Sequence, residues 1–337
     1  MTRRRLAIGT VIACILLPAL IICFATQPLV TPIGSQPPAV DEKRLMQHVQ
    51  WLSQNDYPRS FDFPQRLDAG ASYIRREFAA TGAAVTDQIM TVDEGKTRNI
   101  IARFGPSEGA LLIVGAHYDS YGDASEGAKY PSGFSLKTHT PGADDNASGV
   151  AGLLELARLL ANNPPKRPVE LVAYSFEEPP YFNTKNMGSA WHARSIRAKA
   201  QPVQLMISLE MIGFFSEKSG SQSYPVPGMS MLYPDKGDYI SVVGRIQDSS
   251  EARRVKALMA GATDLPVRSM NGLAMIPGVD FSDHLNYWAE DINALMITDT
   301  AFYRNDNYHQ AGDTWDTLDY PRMAKVVQGV YAVIQGF

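Results

Sequence analysis

The sequence predicts an α/β fold, a three-layer α/β/α sandwich around a mixed, mostly parallel sheet. Short apolar runs rich in β-branched residues, such as ALLIVGA (110–116) and PVELVAYSF (168–176), have the length of buried strands. Segments with apolar residues at helical spacing separate these runs. Strands that alternate with helices are typical of a sheet that carries helices on both faces.

Each predicted element follows from its own pattern. In residues 146–162, Val150, Leu153 and Leu154 repeat at the i, i+3, i+4 spacing of one buried helical face. Between the first two strands, residues 105–109 begin and end with glycine, which predicts a turn and an antiparallel start to the sheet. We predict helices over 41–55, 66–82, 146–162, 188–200, 249–261, 281–290 and 320–335. We predict strands over 98–105, 110–120, 168–176, 204–213, 239–246 and 292–300.

The composition indicates one globular, catalytic-size domain, which we place at residues 41–337. The chain has 337 residues, 45% of them hydrophobic and 20% charged, with a net charge of −4. These values are ordinary for a globular protein. The body has no patch rich in lysine and arginine, which argues against nucleic acid as a partner.

The first 40 residues differ from the body. Three arginines at positions 3–5 precede residues 6–25, which carry no charge and are long enough to span a bilayer. We therefore predict a membrane anchor or signal at 1–26, a proline-rich tether at 27–40, and a body on the extracytoplasmic side, either periplasmic or extracellular. A cleaved secretory signal is the main alternative, and a lipoprotein signal around Cys14 is a weaker one.

Polar side chains follow the ends of the apolar strands, which is where ligands sit in open α/β sheets. One strand leads to His117 and Asp119, and another ends at Glu210. The strand 168–176 is followed by two adjacent glutamates, Glu177 and Glu178. Buried carboxylates need a positive or hydrogen-bonding partner. The set is completed by an acidic loop, TPGADDNASG (140–149), and by His309.

Histidine and carboxylate side chains in this combination suit zinc, and a dication would explain acids that otherwise repel one another. Sites with two metal ions commonly promote hydrolysis. We therefore predict two Zn²⁺ ions. In this interpretation Glu178 or Glu177 binds metal, and its neighbour takes a proton from the attacking water and passes it to the leaving amine.

The order of six motifs gives a family resemblance over roughly residues 44–337. The motifs are GAHYDS, TPGADDNASG, FEEPPYF, SLEMIG, FSDH and YHQAGDTWDTLDY. In this order they resemble the co-catalytic zinc aminopeptidase family of leucine aminopeptidase type. That family also contains glutamate carboxypeptidases, the non-catalytic transferrin receptor and the glutaminyl cyclases.

The resemblance implies a role for each site residue. One zinc would be bound by His117 and Glu210, and the other by Glu178 and His309. Asp144 would bridge the two ions, and the Asp144–Asp145 bond is often cis in relatives. Glu177 would be the general base, and Asp119 would orient His117.

One position departs from the family pattern. Some aminopeptidases carry a tyrosine three residues before the serine of the FSDH motif, where it helps to hold the tetrahedral intermediate. Val279 occupies that position here. We expect Tyr287 or His284 to substitute, or the metals alone to suffice.

The resemblance implies a metal-dependent exopeptidase that acts on peptides, most simply an aminopeptidase. A glutaminyl cyclase with one zinc and a non-catalytic scaffold are the alternatives from other classes. Arg304 could receive a substrate carboxylate, which would favour a carboxypeptidase. The side-chain preference, the native metal and the oligomeric state stay open.

Overall fold

A computed structural model describes residue 20 and residues 22–92, 95–122 and 139–337. In this part of the chain, eight strands form one mixed sheet in the order β1-β2-β4-β3-β5-β8-β6-β7. Four of the seven strand pairs are parallel and three are antiparallel. The strands are β1 (Ala84–Val92), β2 (Gly95–Phe104), β3 (Leu111–His117), β4 (Val169–Tyr174), β5 (Val203–Glu210), β6 (Ile240–Arg245), β7 (Val267–Gly272) and β8 (Ala294–Thr298).

Helices cover both faces of the sheet. The larger core contains Leu112 and Val114 of β3, whereas Leu111 and Ile113 belong to a smaller core on the other face. This alternation follows from the two-residue period of a strand. The three-layer prediction is therefore confirmed as a mixed α/β fold. The helices are α1 (Glu42–Gln50), α2 (Pro64–Ala80), α3 (Gly149–Asn162), α4 (Gly188–Ala198), α5 (Ser249–Ala262), α6 (His284–Trp288) and α7 (Tyr320–Gly336).

The predicted antiparallel start of the sheet is wrong in one respect. Strands β2 and β3 run in opposite directions but are not neighbours, because β4 lies between them. Gly105 has a φ of +79°, and a side chain there would collide with the carbonyl oxygen of Arg167, just before β4. The turn therefore packs against the residues just before β4, and β4 lies between β2 and β3 in the sheet.

Most of the predicted anchor lies outside the described residues, because these include only residue 20 and residues 22–25 of the stretch 6–25. No helix within the described ranges combines the length and the apolar character that a membrane crossing requires. The proline-rich segment 27–40 lies along α5, where Ile33 N donates to the carbonyl of Ala257 and Ser35 N to that of Gly261.

Candidate metal centre and active site

The site lies at the carboxyl ends of three neighbouring parallel strands. Strand β3 ends at His117 and β5 ends at Glu210. Strand β4, on the other side of β3, is followed by Glu177 and Glu178. Because parallel strands end at the same edge of a sheet, residues far apart in sequence are brought together here.

A first group of donor atoms forms around His117. Its Nε2 atom lies 3.3 Å from Asp145 Oδ1 and 3.4 Å from Glu210 Oε2. All three side chains are buried. Their donor atoms lie within 4.8 Å of one another, so one cation could contact all three.

A second group forms around His309 and shares Asp145 with the first. The Nε2 atom of His309 lies 3.1 Å from Asp145 Oδ2 and 3.2 Å from Glu178 Oε2. The two oxygens of Asp145 therefore face different histidines. This arrangement is the one that a carboxylate bridging two metal ions requires.

The donor set fits zinc in type and spacing. Tetrahedral ligands at zinc bond lengths of about 2.0–2.2 Å lie about 3.3–3.6 Å from one another. The distances from the two histidines to their carboxylates, 3.1–3.4 Å, are close to that range. In addition, His117 Nε2 and Glu178 Oε1 are buried and have no hydrogen-bond partner among the described residues. Buried polar atoms are rarely left unpaired, so these two atoms fit a metal-binding role.

Asp144, predicted to bridge the metals, does not face either group. Its Oδ1 accepts from Gly213 N and its Oδ2 from Asn305 Nδ2, both at 3.0 Å. The backbone nitrogens of Asp144 and Asp145 both donate to the carboxylate of Asp313. The loop is thereby fixed with Asp144 turned away from both groups, and Asp145 is the residue whose carboxylate lies between the two histidines. The cis peptide bond lies between Asp145 and Asn146 rather than before Asp145.

Asp119 contacts both His117 and the two adjacent glutamates. His117 Nδ1 lies 3.2 Å from its carbonyl oxygen and 3.5 Å from its Oδ1. Its carboxylate also accepts from Glu177 N at 3.2 Å and from Glu178 N at 3.0 Å. Phe176, just before these glutamates, has a φ of +59°. The carboxylate of Asp119 therefore fixes the sharp turn that places the two glutamates, whereas its backbone carbonyl, rather than the expected carboxylate, accepts the hydrogen bond from His117 Nδ1.

The acids and imidazoles strongly perturb one another's proton affinity. Burial raises the pKa of Glu178 to about 7, and Asp145 adds to the rise. Burial opposes protonation of His309, but Glu178 and Asp145 raise its pKa to about 10. The pKa of His117 is raised too, because Glu210 and Glu177 outweigh the effect of burial. Acids this crowded repel one another's charge, and a dication would remove that repulsion.

Sequence reasoning missed a buried arginine beneath the site. Arg59 is completely buried. Its Nε donates to the carbonyl of Tyr118 at 2.8 Å, and its Nη2 to that of Gly142 at 2.9 Å. Its Nη1 donates to the carbonyls of Pro141, at 3.0 Å, and Leu52. Arg59 thus ties the chain between His117 and Asp119 to the loop that carries Asp145.

Ser282 is a second supporting residue that sequence reasoning did not assign. Its hydroxyl donates to Glu210 Oε2 at 2.7 Å and lies 2.8 Å from the hydroxyl of Ser208. This bond orients the carboxylate that faces His117. Partners of this kind are common behind metal ligands.

The two residues expected to replace the tyrosine missing at Val279 point elsewhere. Tyr287 is buried, and its hydroxyl lies 2.6 Å from that of Tyr174 and 2.5 Å from His192 Nδ1. His284 is also buried, and its Nε2 lies 2.8 Å from the carbonyl of Val279. Neither is free to reach a substrate in this arrangement.

A cavity that is open to solvent lies beside Glu210, and its space, including part of that solvent, is about 650 Å³. It extends over the ends of β6, β7 and β8. Glu210 is the one charged side chain among its described lining residues, and most of the others are apolar or aromatic. Its aromatic and methionine lining consists of Tyr224, Met229, Tyr233, Tyr239, Met270, Phe281, Met296, Phe302 and Tyr303.

Known proteins resemble this chain in sequence and in fold. Residues 99–334 match the model of peptidase family M28. The uncharacterized protein YfbL of Escherichia coli K12 is 52% identical over 308 residues, which cover 91% of this chain and 92% of that protein. Two solved structures from Bacteroides thetaiotaomicron share the fold at 21% identity and a TM-score of 0.66. They are a leucine aminopeptidase precursor and a glutaminyl cyclase bound to N-acetylhistamine, and each match covers 90% of this chain and 100% of the other. Because the family model matches more than two thirds of its length, this chain belongs to peptidase family M28 and is a metallopeptidase.

Proposed function

We propose that the chain is a dinuclear zinc aminopeptidase that removes N-terminal residues from peptides. The observation that carries the proposal is the position of Asp145, whose two oxygens lie 3.3 Å from His117 Nε2 and 3.1 Å from His309 Nε2. Asp145, His117 and Glu210 would hold one ion, and Asp145, Glu178 and His309 the other. Bound zinc supplies Lewis-acid chemistry for hydrolysis.

Glu177 is the general base in this proposal. It lies beside the first group, with its Oε2 3.8 Å from His117 Nε2, and it is not one of the five residues of the two groups. The carboxylate of Asp119 accepts a hydrogen bond from the backbone nitrogen of Glu177, which fixes the position from which the Glu177 side chain extends. From there Glu177 can take a proton from the attacking water and deliver it to the leaving amine.

The charge of the site favours a free amino terminus over a carboxylate. Asp145, Glu178 and Glu210 would bind the two ions, which leaves Glu177 as the unbound acid beside them; its carboxylate would attract a substrate ammonium and repel a carboxylate. Arg304, the candidate carboxylate receptor, is buried. Its Nε donates to Gln222 Oε1 at 2.9 Å, its Nη1 donates to the carbonyl of Phe214, and its guanidinium lies over the ring of Tyr239.

The cavity beside Glu210 favours substrates with a large apolar N-terminal side chain. Burying a leucine or phenylalanine side chain is worth about 1.5–3 kcal/mol. We therefore expect kcat/KM for N-terminal leucine or phenylalanine to exceed that for glycine by roughly 10–100-fold. A lysine side chain would meet a mostly apolar wall whose one charged residue among the described lining, Glu210, is assigned to zinc, so it should be a poor substrate.

The test uses one zinc-loaded preparation and three peptides of equal length. Their N-termini are free leucine, N-acetyl-leucine and glutamine. The proposal predicts release of free leucine from the first peptide, no release from the second, and free glutamine rather than pyroglutamate from the third. Pyroglutamate as the main product would favour the glutaminyl cyclase alternative, and cleavage of the acetylated peptide at its C-terminus would favour a carboxypeptidase.

We also propose that residues 6–25 anchor the chain in a membrane, with the peptidase body on the extracytoplasmic side. The support is the sequence, because twenty uncharged residues follow three arginines. Separation of cell membranes from soluble fractions tests this proposal. Full-length chain in the soluble fraction would contradict it.

A further inference from the structure

Exposed apolar side chains gather along one edge of the sheet. β7 is the edge strand, and Leu273 and Met275 follow it directly. Met231 and Leu232 lie beside it, since the hydroxyl of the adjacent Tyr233 donates to the carbonyl of Ser269 in β7. Met231 and Met275 are 87% and 82% exposed. A cluster of large exposed apolar residues commonly marks a binding surface.

The same edge receives the end of the N-terminal apolar segment. Asn271 of β7 donates from Nδ2 to the carbonyls of Phe24 and Ala25, both at 3.3 Å. Ser269, two residues earlier, donates to the carbonyl of Thr26 at 3.0 Å. The side chain of Phe24 is itself exposed. Residues 24 and 25, the end of the uncharged stretch, therefore lie at this edge.

A buried lysine fixes the direction in which that segment leaves the body. Lys256 of α5 is buried, and its ammonium donates to the carbonyls of Thr26 at 3.0 Å and Gln27 at 2.9 Å. Its third acceptor is the hydroxyl of Ser269. Since two of its three partners directly follow the stretch 6–25, releasing this part of the chain would leave a buried cation short of partners. The segment is therefore held rigidly rather than by a flexible link.

The charges on this edge suit phospholipid headgroups. Arg268 projects from β7 and is exposed, and Arg253 of α5 is also exposed, with a bond to the carbonyl of Leu29. Asp248, next to this edge, is buried and paired with Arg245, and the exposed Asp264 just before β7 is paired with Lys325. Apolar side chains flanked by arginine are typical of surfaces that lie in the headgroup region of a bilayer.

We propose that the β7-edge face, defined as Phe24, Met231, Leu232, Leu273 and Met275, rests on the membrane surface. The inference depends on the proposed anchor but not on the proposed peptidase specificity. The face adjoins the mouth of the cavity, because Met229 and Tyr233 line the cavity while Met231 and Leu232 between them face outward. The cavity therefore opens beside the bilayer, where it meets peptides that lie on the membrane surface.

The experiment places the full-length chain in lipid nanodiscs that contain a phosphatidylcholine with a photoreactive diazirine. After illumination, mass spectrometry locates the lipid adducts along the chain. The proposal predicts adducts on residues 231–232 and 273–275 in addition to the anchor. As an internal reference, Ile89 on β1, the opposite edge strand, is also exposed and should receive at least tenfold fewer adducts.

A matched pair of variants tests the contribution of the face. Met231→Glu combined with Met275→Glu should lower the adduct yield at Leu232 and Leu273 at least fivefold, whereas Ile89→Glu should not change it. Neither variant should alter hydrolysis of a soluble peptide, since these side chains do not line the cavity.

Three outcomes would overturn the inference and are distinguishable from one another. Adducts confined to the first 26 residues would leave the anchor standing and refute the face. No adducts anywhere would refute the anchor as well, while the peptidase assay stands apart from both. A dimer in detergent that the double variant dissociates would assign the face to a second copy of the chain instead.

Discussion

Two adjacent aspartates give the sharpest prediction, because the same substitution should have different effects at each. Asp145 contributes one oxygen to each metal group. In Asp145→Asn, one of those oxygens becomes an NH₂ group, which does not bind zinc. At most one of the two groups then keeps its third ligand.

The expected size of the effect follows from what the amide removes. Loss of a hydrogen-bonding partner behind a ligand typically weakens metal affinity 10–100-fold, so loss of the ligand itself should cost more than about 100-fold at one site. Zinc content should therefore fall from two ions to at most one per chain. Peptidase activity should fall with it.

Asp144→Asn is the matched control. Burial and the neighbouring Asp299 raise the pKa of Asp144 well above its usual value, so a neutral side chain already suits this position. An asparagine can still accept from Gly213 N, but its amide nitrogen takes the place of the oxygen that accepts from Asn305 Nδ2, so that one bond is lost. We expect two zinc ions per chain and a loss of stability of about 1–2 kcal/mol, as for a modified buried hydrogen bond.

The assay is zinc content by mass spectrometry after dialysis against a buffer of fixed free zinc, with urea unfolding as a check on folding. The reasoning would be refuted if Asp144→Asn lost an ion while Asp145→Asn kept two. Equal loss in both variants, with both folded, would also contradict the assignment of the bridge to Asp145.

Three further predictions concern the base, the buried arginine and a buried histidine. Glu177→Gln should keep both zinc ions and lower kcat at least 100-fold with little change in KM; near-normal turnover would remove Glu177 from the role. Arg59→Met leaves the carbonyls of Tyr118, Pro141 and Gly142 without their donor. It should therefore destabilise the protein by about 3–5 kcal/mol and weaken zinc binding, and Arg59→Lys should recover part of both. Unchanged zinc affinity would limit Arg59 to a structural role. Burial and the nearby Arg44 lower the pKa of His48 to about 4 from the usual 6.5, opposed by Glu155. Between pH 4 and 6.5, His48 binds a proton in the unfolded chain but not in the folded protein. The free energy of unfolding should therefore fall by about 3 kcal/mol as pH drops from 6.5 to 4. A His48→Asn variant should lose less stability over that interval.

The central part of the fold could be predicted from sequence, but its edges could not. Strands β3, β4, β5 and β8 are buried on both faces and appear as continuous apolar runs. The edge strands β1 and β7 were not predicted. β1 alternates exposed and partly buried positions, and β7 contains Arg268, Ser269 and Asn271. Strands with one open edge do not need continuous apolar sequence, so the pattern that identifies central strands is missing.

The site residues that follow strands could be predicted from the sequence, but those whose orientation depends on the backbone of a loop could not. His117, Glu178 and Glu210 were predicted from their positions at strand ends, and the structure brings them together with His309. The choice between Asp144 and Asp145 depends on backbone angles in residues 142–146, where Gly142 is left-handed with a φ of +61°. Composition and spacing do not determine those angles.

Arg59 was missed for a related reason. It precedes the family-matched region, residues 99–334, and stands in no motif. Its partners are backbone carbonyls, which any residue supplies, so no pattern of side chains marks them. A buried arginine of this kind becomes visible only when the loops it joins are placed in space.

The most direct test of the account is the anomalous scattering of zinc in crystals of the zinc-loaded protein. We predict two peaks per chain, one among His117, Asp145 and Glu210 and one among Asp145, Glu178 and His309. A single peak, or a second peak coordinated by Asp144, would contradict the shared role of Asp145 on which the proposed chemistry depends.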